Sequence, residues 1–337
     1  MSNGQHARKC AFAFMHALAQ VLVVGAFTAL SGSAVAQQAY PNKPIRFITP
    51  FPPGGSTTIV LRLVGQKLTE AWGQQVIIEN RPGGNTIIGT ESVAKSPPDG
   101  YTIMMVNATY VINALLVPNL PYDSFKDLAA VTTVYGNETI LVLHPAVPAN
   151  DLGEFIALAK SKPGQLNFGA GDHGGITHVR SELFNIMAGV KINAIPYKGT
   201  GPVMIDLVGG HVQMALVPPI AAIPHVKSGK LKAIAVTGDA RLSALPQIPT
   251  FTEAGMRGFE LKNWNGVLAP AATPKDIIAK IAGEIARIVV MPDIKEKLVS
   301  QGLDPLVSTP EQFATMMKAD GARFAKVIKT ANIKLEK

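Results

Sequence analysis

Short apolar runs alternate along the chain with segments whose apolar residues recur at helical spacing. Residues 45–49 form a run typical of a buried strand, the apolar positions between Ile59 and Leu68 have the spacing of one helix face, and residues 76–78 form the next apolar run. The connection at residues 50–55 is rich in proline and glycine. This pattern predicts one βαβ unit with a strand-to-helix turn at residues 50–55.

The alternation continues to the end of the chain, and a second round starts near Ile140. Asp151 opens a helix in this round, with Glu154 three residues later as a capping box. Strands that alternate with helices favour an α/β fold with a mostly parallel sheet. Further strands are predicted at 101–106, 140–143, 166–168, 192–197, 212–217 and 231–236, and further helices are predicted up to about residues 95 and 187, over 203–208 and 221–227, and from Thr273 and Thr309.

Composition favours a globular protein. Of the 337 residues, 47% are hydrophobic and 16% are charged, which is enough apolar material for a core and too little charge for disorder. A chain of this length is typical of two domains.

The N-terminal segment has the features of a secretory leader. Two basic residues precede an apolar run over residues 11–30, and small residues follow at 34–36. This order predicts cleavage after Ala36. A membrane anchor is the alternative, but His16 and Gln20 interrupt the run, which falls short of the roughly 20 clean apolar residues that a span needs.

Cleavage after Ala36 changes both the cysteine content and the charge. Cys10 is the sole cysteine, so disulfides, thiol catalysis and thiolate metal sites are not expected. Loss of Arg8 and Lys9 lowers the net charge from +8 to +6, an excess that suits an anionic ligand and also many ordinary surfaces. Since the lysines are dispersed rather than set in a basic stripe with aromatic residues, we expect no nucleic-acid partner.

Two glycine-rich loops, at residues 54–58 and 171–177, each precede a predicted helix. Such a helix N-terminus leaves backbone N–H groups unpaired and carries roughly half a positive charge, so it binds anions without a cationic side chain. Both loops would lie at the carboxyl ends of strands, where open α/β sheets bind ligands. Two facing loops would hold a small carboxylate; the alternative is that the glycines only permit tight turns.

The second loop also fits a dinucleotide-binding fingerprint. Gly169, Gly171 and Gly174 stand in the order G-x-G-x-x-G between a strand and a helix. The following strand ends at residues 197–199 without the acidic residue that would bind a ribose hydroxyl. An exported protein also has little access to nicotinamide, so we expect no cofactor.

Metal binding and hydrolysis find little support in the sequence. His173 and His178 lie five residues apart, so they do not share a helix face as zinc-binding pairs at i and i+4 do, and His178 either lines a cleft or is structural. There is no G-x-S-x-G elbow, and no histidine lies close to Ser56, although distant residues can form a triad. Trp264 fits either a cleft mouth or the core.

Several motifs across the whole mature chain resemble the substrate-binding proteins of tripartite tricarboxylate transporters, the Bug-type (Bordetella uptake) receptors. They are Tyr40-Pro41 with Lys43-Pro44-Ile45-Arg46, Pro50-Phe51-Pro52-Pro53-Gly54-Gly55, Glu79-Asn80-Arg81-Pro82-Gly83, Pro98-Asp99-Gly100-Tyr101, Leu120-Pro121-Tyr122-Asp123, Pro196-Tyr197-Lys198-Gly199, residues 231–238, and Leu268-Ala269-Pro270 before Thr273-Pro274.

The resemblance implies a type II periplasmic binding protein fold, in which two doubly wound α/β lobes are joined by a hinge and close on a ligand in the interlobe cleft. We expect residues 37–138 and 241–337 to form lobe 1 and residues 139–240 to form lobe 2. The implied function is capture of a small carboxylate and its delivery to integral-membrane permease subunits, by a monomer without enzymatic activity. The alternatives are an exported hydrolase of a carboxylate ester or amide and a ligand-sensing partner of a receptor kinase.

The resemblance also implies a set of ligand-binding residues around the two loops. They are Phe51, Pro53, Gly54, Gly55, Ser56, Thr57, Thr58, Asn107, Ala108, Thr109, Ala170, Gly171, Asp172, His173, Thr177, His178, Tyr197, Lys198, Val217 and Pro218.

Three departures from the usual family pattern bear on the ligand. Asp is common where Thr58 stands, Asp-Asn is common where Val217 and Pro218 stand, and the second loop is unusual in reading Asp172-His173-Gly174-Gly175-Ile176. Loss of acidic groups that pair with a ligand ammonium leads to the hypothesis of a carboxylate with a less polar body, aromatic bodies included, rather than an amino acid or citrate.

Overall fold

A computed structural model describes residues 40–259 and 263–334. The predicted leader, residues 1–36, lies outside the described residues. The chain divides into two units, Met1–Asn42 and Lys43–Lys337, and all the secondary structure below belongs to the second.

The strands and helices alternate as the apolar pattern predicts for the first and middle parts of the chain. The strands are β1 (Ile45–Thr49), β2 (Val76–Asn80), β3 (Thr102–Asn107), β4 (Leu128–Asn137), β5 (Ile140–Leu143), β6 (Asn167–Ala170), β7 (Asn193–Pro196), β8 (Met214–Val217), β9 (Lys232–Val236), β10 (Asn263–Pro270) and β11 (Leu303–Pro305). The helices are α1 (Ser56–Trp72), α2 (Ile87–Ala94), α3 (Thr109–Leu116), α4 (Leu152–Ser161), α5 (Ile176–Ala188), α6 (Thr200–Val208), α7 (Pro219–Lys227), α8 (Lys275–Val289), α9 (Pro292–Ser300) and α10 (Pro310–Ala331).

The strands form two sheets. One has the order β11-β4-β10-β3-β1-β2 and the other the order β7-β6-β8-β5-β9. The β1-α1-β2 unit is confirmed, with β1 parallel to β2 and β3. The expectation of a mostly parallel sheet is wrong, because β10 runs antiparallel to β3 and β4, and β5 runs antiparallel to β8 and β9. β5 and β10 are each the first strand after the chain crosses from one sheet to the other. No βαβ crossover therefore fixes their direction.

Two passages connect the sheets, and they lie side by side. Only Glu138 and Thr139 separate β4 from β5, and Thr237 follows β9 directly. The backbone N–H of Thr139 donates to Oγ1 of Thr237 over 2.8 Å, and the N–H of Thr237 donates to the carbonyl of Thr139 over 2.9 Å. The Glu138 carboxylate accepts from the same Thr237 hydroxyl. These bonds tie the outgoing and returning chains together where a hinge is expected.

Local signals for helix ends are largely confirmed. Thr309 accepts from the N–H of Gln312 and Gln312 reaches back to the N–H of Thr309, a full capping box. Asp151 accepts from the N–H of Glu154, while the Glu154 carboxylate reaches Asn150 rather than Asp151.

Each sheet has its own core. Trp264 and Phe313 pack edge to face at 4.9 Å between ring centroids beside the first sheet, and Phe155, Phe184 and Phe259 pack beside the second. Since Phe259 belongs to the second core, the packing favours a lobe boundary after residue 259 rather than at 241. The lobe boundaries themselves remain a prediction.

Candidate functional site

The first predicted loop places an uncapped helix N-terminus at the carboxyl end of β1. Gly55 is the N-cap of α1, no side chain caps the helix there, and the first turn contains no acidic residue. Gly54 and Gly55 are exposed, and a Cβ added to either would meet no atom within 4 Å. The backbone at Gly54 and Gly55 therefore borders open space, and Ser56, the first helical residue, is half-buried; a helix N-terminus open in this way attracts an anion.

Asn80 holds the two sides of this loop together. It ends β2, next to β1, and its Nδ2 donates to the carbonyl of Phe51 over 2.9 Å and to Oγ1 of Thr58 over 2.8 Å. The sequence did not identify Asn80 as a site residue, although it lies in the Glu79-Asn80-Arg81-Pro82-Gly83 motif. The neutral Thr58 accepts a bond at the position where an Asp is common.

Two buried polar side chains, those of Tyr135 and Asn265, contact the first turn of α1. Tyr135 on β4 and Asn265 on β10 lie within hydrogen-bonding distance of Oγ1 of Thr57, at 3.3 and 3.4 Å, and the Tyr135 hydroxyl donates to Ser56 over 3.5 Å. Burial raises the pKa of Tyr135 to about 12, so its hydroxyl remains a neutral donor. Neither residue was predicted, because both come from strands far away in sequence.

The second loop differs from the first, because the protein satisfies its amides itself. Oδ1 of Asp172 accepts from the N–H of Thr177 over 3.1 Å and from the N–H of His178 over 3.3 Å, and it also accepts from the Thr177 hydroxyl. The N–H of Ile176 donates to Oγ1 of Thr109 over 3.3 Å. The expectation of unpaired amides at this terminus is therefore wrong, since a carboxylate three residues before the N-cap Gly175 occupies the place of an external anion.

The surroundings of Asp172 fit its carboxylate. Gly175 leaves room for it, because an added Cβ there would overlap Oδ2 and Cγ of Asp172. Arg180, in the second turn of α5, is fully buried; burial lowers its pKa to about 10, and the charges of Glu138, Asp172 and Asp320 oppose that fall. Desolvation by the surrounding protein raises the pKa of Asp172, while the hydrogen bonds from Thr177 and His178 and the charge of Arg180 oppose that rise.

The hydrogen bond from Ile176 to Thr109 connects a helix that follows the second sheet's β6 with a helix that follows the first sheet's β3. Thr109 begins α3, directly after β3 of the first sheet, whereas Ile176 begins α5 above the second sheet. Oδ1 of Asn107 accepts from the N–H of Thr109 over 3.0 Å and so fixes the turn. The predicted segment 107–109 thus contacts the second loop, and Ala108 is buried as the N-cap of α3.

His178 is held by its own loop. Its Nδ1 accepts from the N–H of Gly174 over 3.1 Å, so the ring carries its proton on Nε2 when neutral. Burial, with a smaller contribution from His173 at 5.4 Å between ring centroids, lowers the pKa of His178. No group of three or more His, Cys, Asp or Glu side chains within residues 40–259 and 263–334 is placed to hold a metal ion.

The segment after β7 lies beside the second loop. The N–H of Tyr197 donates to the carbonyl of Ala170 over 2.8 Å, and the N–H of Gly199 donates to the carbonyl of Gly171 over 2.7 Å. The Tyr197 hydroxyl donates to Asp206 over 2.7 Å, and burial raises its pKa to about 12. Lys198 is exposed.

Two other predicted positions have mainly structural surroundings. Val217 is buried at the end of β8 and Pro218 is the N-cap of α7. Of the two alternatives for Trp264, the structure selects the core: the side chain is 1% exposed and its Nε1 donates to Asp320 over 2.8 Å. Asn265, the next residue, is the one that reaches the site.

Comparison with known proteins agrees with this architecture. Two α/β sheets joined by paired passages, with an open helix terminus at the carboxyl end of a strand, define a two-lobed solute-binding receptor of the type II periplasmic binding fold. The profile of the tripartite tricarboxylate transporter family receptor, TctC, matches residues 60–333. The chain belongs to this family.

Its relatives include a Bug protein and receptors solved with dicarboxylates. BugT of Bordetella pertussis is 35% identical over 93% of this chain and 98% of its own length. The R. palustris protein Rpa4515 with adipate has a TM-score of 0.81 at 32% identity over 88% of this chain and 99% of its own. MatC of Rhodopseudomonas palustris with bound malate has a TM-score of 0.76 at 29% identity over 86% and 100% of the two chains.

A membrane-spanning helix was also sought. None of the helices described between residues 40 and 334 has the length and apolar character to cross a bilayer.

Proposed function

We propose that this chain is a periplasmic receptor that binds a small carboxylate at the N-terminus of α1 and presents it to membrane permease subunits. The uncapped turn at Gly55 carries this proposal, because its backbone borders open space and its first turn has no acidic residue. The relatives solved with adipate and malate support a carboxylate as the ligand class. The predicted leader supports the periplasm as the location.

Three neutral residues of the predicted site favour a ligand without an ammonium group, because the carboxylate of the second loop, Asp172, already accepts from the amides of Thr177 and His178. Thr58 is neutral and already bonded to Asn80, and Val217 with Pro218 ends β8 where the family commonly has Asp-Asn. A ligand cation would find no carboxylate at these three positions. We therefore propose a carboxylate whose body is apolar, aliphatic or aromatic, rather than an amino acid.

Lobe closure would follow from contacts on both sides of the cleft. The bonds between Thr139 and Thr237 tie the two passages at the hinge, and Thr109 already contacts the second loop at Ile176. A ligand bound at Ser56 and also touching the second loop or residues 197–199 would favour the closed state, because only that state provides both sets of contacts. The permease would recognise the closed form.

The first experiment is a thermal-shift and calorimetric screen of residues 37–337 against aliphatic and aromatic carboxylates and amino acids. A ligand at about 100 times its Kd adds roughly 2.7 kcal/mol and raises the melting temperature by several degrees. Recovery of the ligand unchanged would distinguish binding from hydrolysis. Absence of any carboxylate binding would contradict the proposal, as would tight binding of aspartate or glutamate alone.

The variant pair Ser56→Pro and Ser56→Ala tests the amide terminus directly. Proline is tolerated at the first position of a helix, and Gly55 has the extended conformation that a residue before proline requires. S56P removes the backbone N–H, whereas S56A removes only the hydroxyl. We expect S56P to weaken carboxylate binding about tenfold or more, as loss of a hydrogen bond to a charged group does, and S56A to have a much smaller effect. Equal effects would exclude the amide as the donor.

A further inference from the structure

The two helix termini at the candidate site are not equivalent. At α1 the N-cap is Gly55, which has no side chain to cap the helix, and the first turn contains no acidic residue. At α5 the carboxylate of Asp172 accepts from the amides of Thr177 and His178. A carboxylate at a helix N-terminus satisfies the same amides and the same dipole as a bound anion does. The second terminus is therefore already filled from within the chain.

The surrounding residues accommodate the Asp172 carboxylate. Gly175 lacks the Cβ that would overlap the Asp172 side chain, so the N-cap residue itself makes room. Arg180 lies fully buried on α5, where burial lowers its pKa and the charges of Glu138, Asp172 and Asp320 oppose that fall. The missing Cβ at Gly175 and the buried charge of Arg180 both favour this conformation of the Asp172 side chain.

Asp172 also stands where a ligand would approach. Asp172, Thr177 and His178 are half-buried residues. The adjoining amide of Ile176 is bonded to Thr109, which begins the helix after β3 of the first sheet, so this terminus lies next to the predicted segment 107–109. A second negative group arriving here would meet a carboxylate instead of free amides, and like charges at close range repel.

We propose that Asp172 takes the place of one ligand carboxylate, so that this receptor selects monocarboxylates over dicarboxylates of the same body. The inference rests on the proposed function and narrows its ligand class. The first terminus, at Gly55, would bind the single carboxylate of the ligand. The second terminus, whose Thr177 and His178 amides Asp172 already occupies, would offer no free amides to a second carboxylate.

The experiment compares acids that differ only in the second carboxylate. Hexanoate is paired with adipate, and benzoate is paired with benzene-1,4-dicarboxylate. Their dissociation constants are measured by calorimetry on residues 37–337. We expect wild type to bind the monocarboxylate of a pair at least tenfold more tightly than its dicarboxylate. Tighter binding of the dicarboxylate in both pairs would overturn the inference while leaving the receptor function intact.

Three variants then assign the preference to Asp172. Asp172→Ala empties the terminus, and Asp172→Asn keeps a neutral side chain of the same size whose oxygen can still accept from these amides, which keeps the test valid if the alanine variant does not fold. Asp151→Ala is the matched control, because Asp151 accepts from the N–H of Glu154 at the start of α4 in the same way, away from the site.

The ratio of the two dissociation constants within a pair is the readout. In the folded Asp172 variants we expect it to shift by at least tenfold toward the dicarboxylate, and in Asp151→Ala by less than twofold. An unchanged ratio in the Asp172 variants would overturn the inference alone. Failure of wild type and all variants to bind any of the four acids would instead overturn the proposed carboxylate function, and the inference with it.

Discussion

Oδ1 of Asp172 lies 3.1 Å from the backbone nitrogen of Thr177 and accepts its hydrogen bond. This one contact changes the site from two open anion-binding turns to one open turn and one that the chain fills itself. The ligand that such a site holds has its negative charge at one end. The physical asymmetry between the two loops, rather than their shared glycine content, therefore determines what the cleft can bind.

The fit between Gly175 and Asp172 predicts a strong effect of a single methyl group. Gly175→Ala would place its Cβ on the Asp172 carboxylate, so we expect the carboxylate to be displaced and the free energy of unfolding to fall by about 1–3 kcal/mol. Gly283→Ala on α8 is the control, because its Cβ would meet nothing within 4 Å and alanine favours a helix interior by about 0.5–1 kcal/mol. Urea unfolding of both variants measures the difference. Equal stability of the two would show that Asp172 moves without cost.

Asn80 should affect ligand binding although it is not expected to touch the ligand. Its Nδ2 bonds hold Phe51 and Thr58 together, so Asn80→Ala would loosen the first loop and leave it to be ordered by the ligand. We expect carboxylate affinity to fall by about fivefold to thirtyfold, since ordering one or two groups costs about 1–2 kcal/mol. Asn193→Ala is the matched control, because that side chain similarly donates to the carbonyl of Gly164, over 2.8 Å. Similar losses in both variants would argue against a special role for Asn80.

The pair formed by Arg46 and Glu79 predicts a pH-dependent contribution to stability. Arg46 donates from Nε and an NH2 group to the two Glu79 oxygens over 2.6 and 3.0 Å, and this bonding lowers the pKa of Glu79 from its ordinary value of 4.5. A lowered carboxyl pKa stabilises the fold above the unfolded pKa, and this stabilisation is lost as the pH falls through the folded pKa.

Glu79→Gln should therefore lower the free energy of unfolding by about 0.5–1 kcal/mol at pH 7, the range for a well-formed but partly exposed pair. The difference from wild type should shrink as the pH falls below about 4.5 toward the end of the acid titration. Urea titrations of both proteins at a series of pH values measure it. A difference that stays constant with pH would assign the effect to packing instead of charge.

Trp264 combines an apolar contact with a hydrogen bond to a charged group. Its indole packs on Phe313 and its Nε1 donates to Asp320, whose pKa is raised by burial. Trp264→Phe keeps most of the apolar contact but leaves Asp320 with one donor fewer, so we expect a loss of about 1.5–3 kcal/mol. Adding Asp320→Asn should recover part of it, because a neutral amide tolerates burial better. The free energy of unfolding of the double variant is compared with the sum of the losses in Trp264→Phe and Asp320→Asn. A loss in the double variant larger than that sum would contradict this explanation.

Features that depend on neighbours along the chain could be predicted from the amino-acid sequence. Apolar spacing gave the βαβ unit at β1, α1 and β2, and the Thr309 capping box gave the start of α10, because both depend on residues a few positions apart. The glycines at 54 and 55 likewise identified an open turn, since a helix that follows them has no side chain available to cap it.

The hydrogen-bond and charge partners of the polar side chains depend on the three-dimensional fold and could not be predicted from the sequence. Asp172 could be read from the sequence as a ligand contact, yet folding turns it onto the amides of its own helix, with Arg180 buried nearby. Tyr135 and Asn265 reach Thr57 from strands that the chain brings back after passing between the sheets. Hydrogen bonds and charges act over a few ångströms in space, and distance along the chain does not predict which groups come within that range.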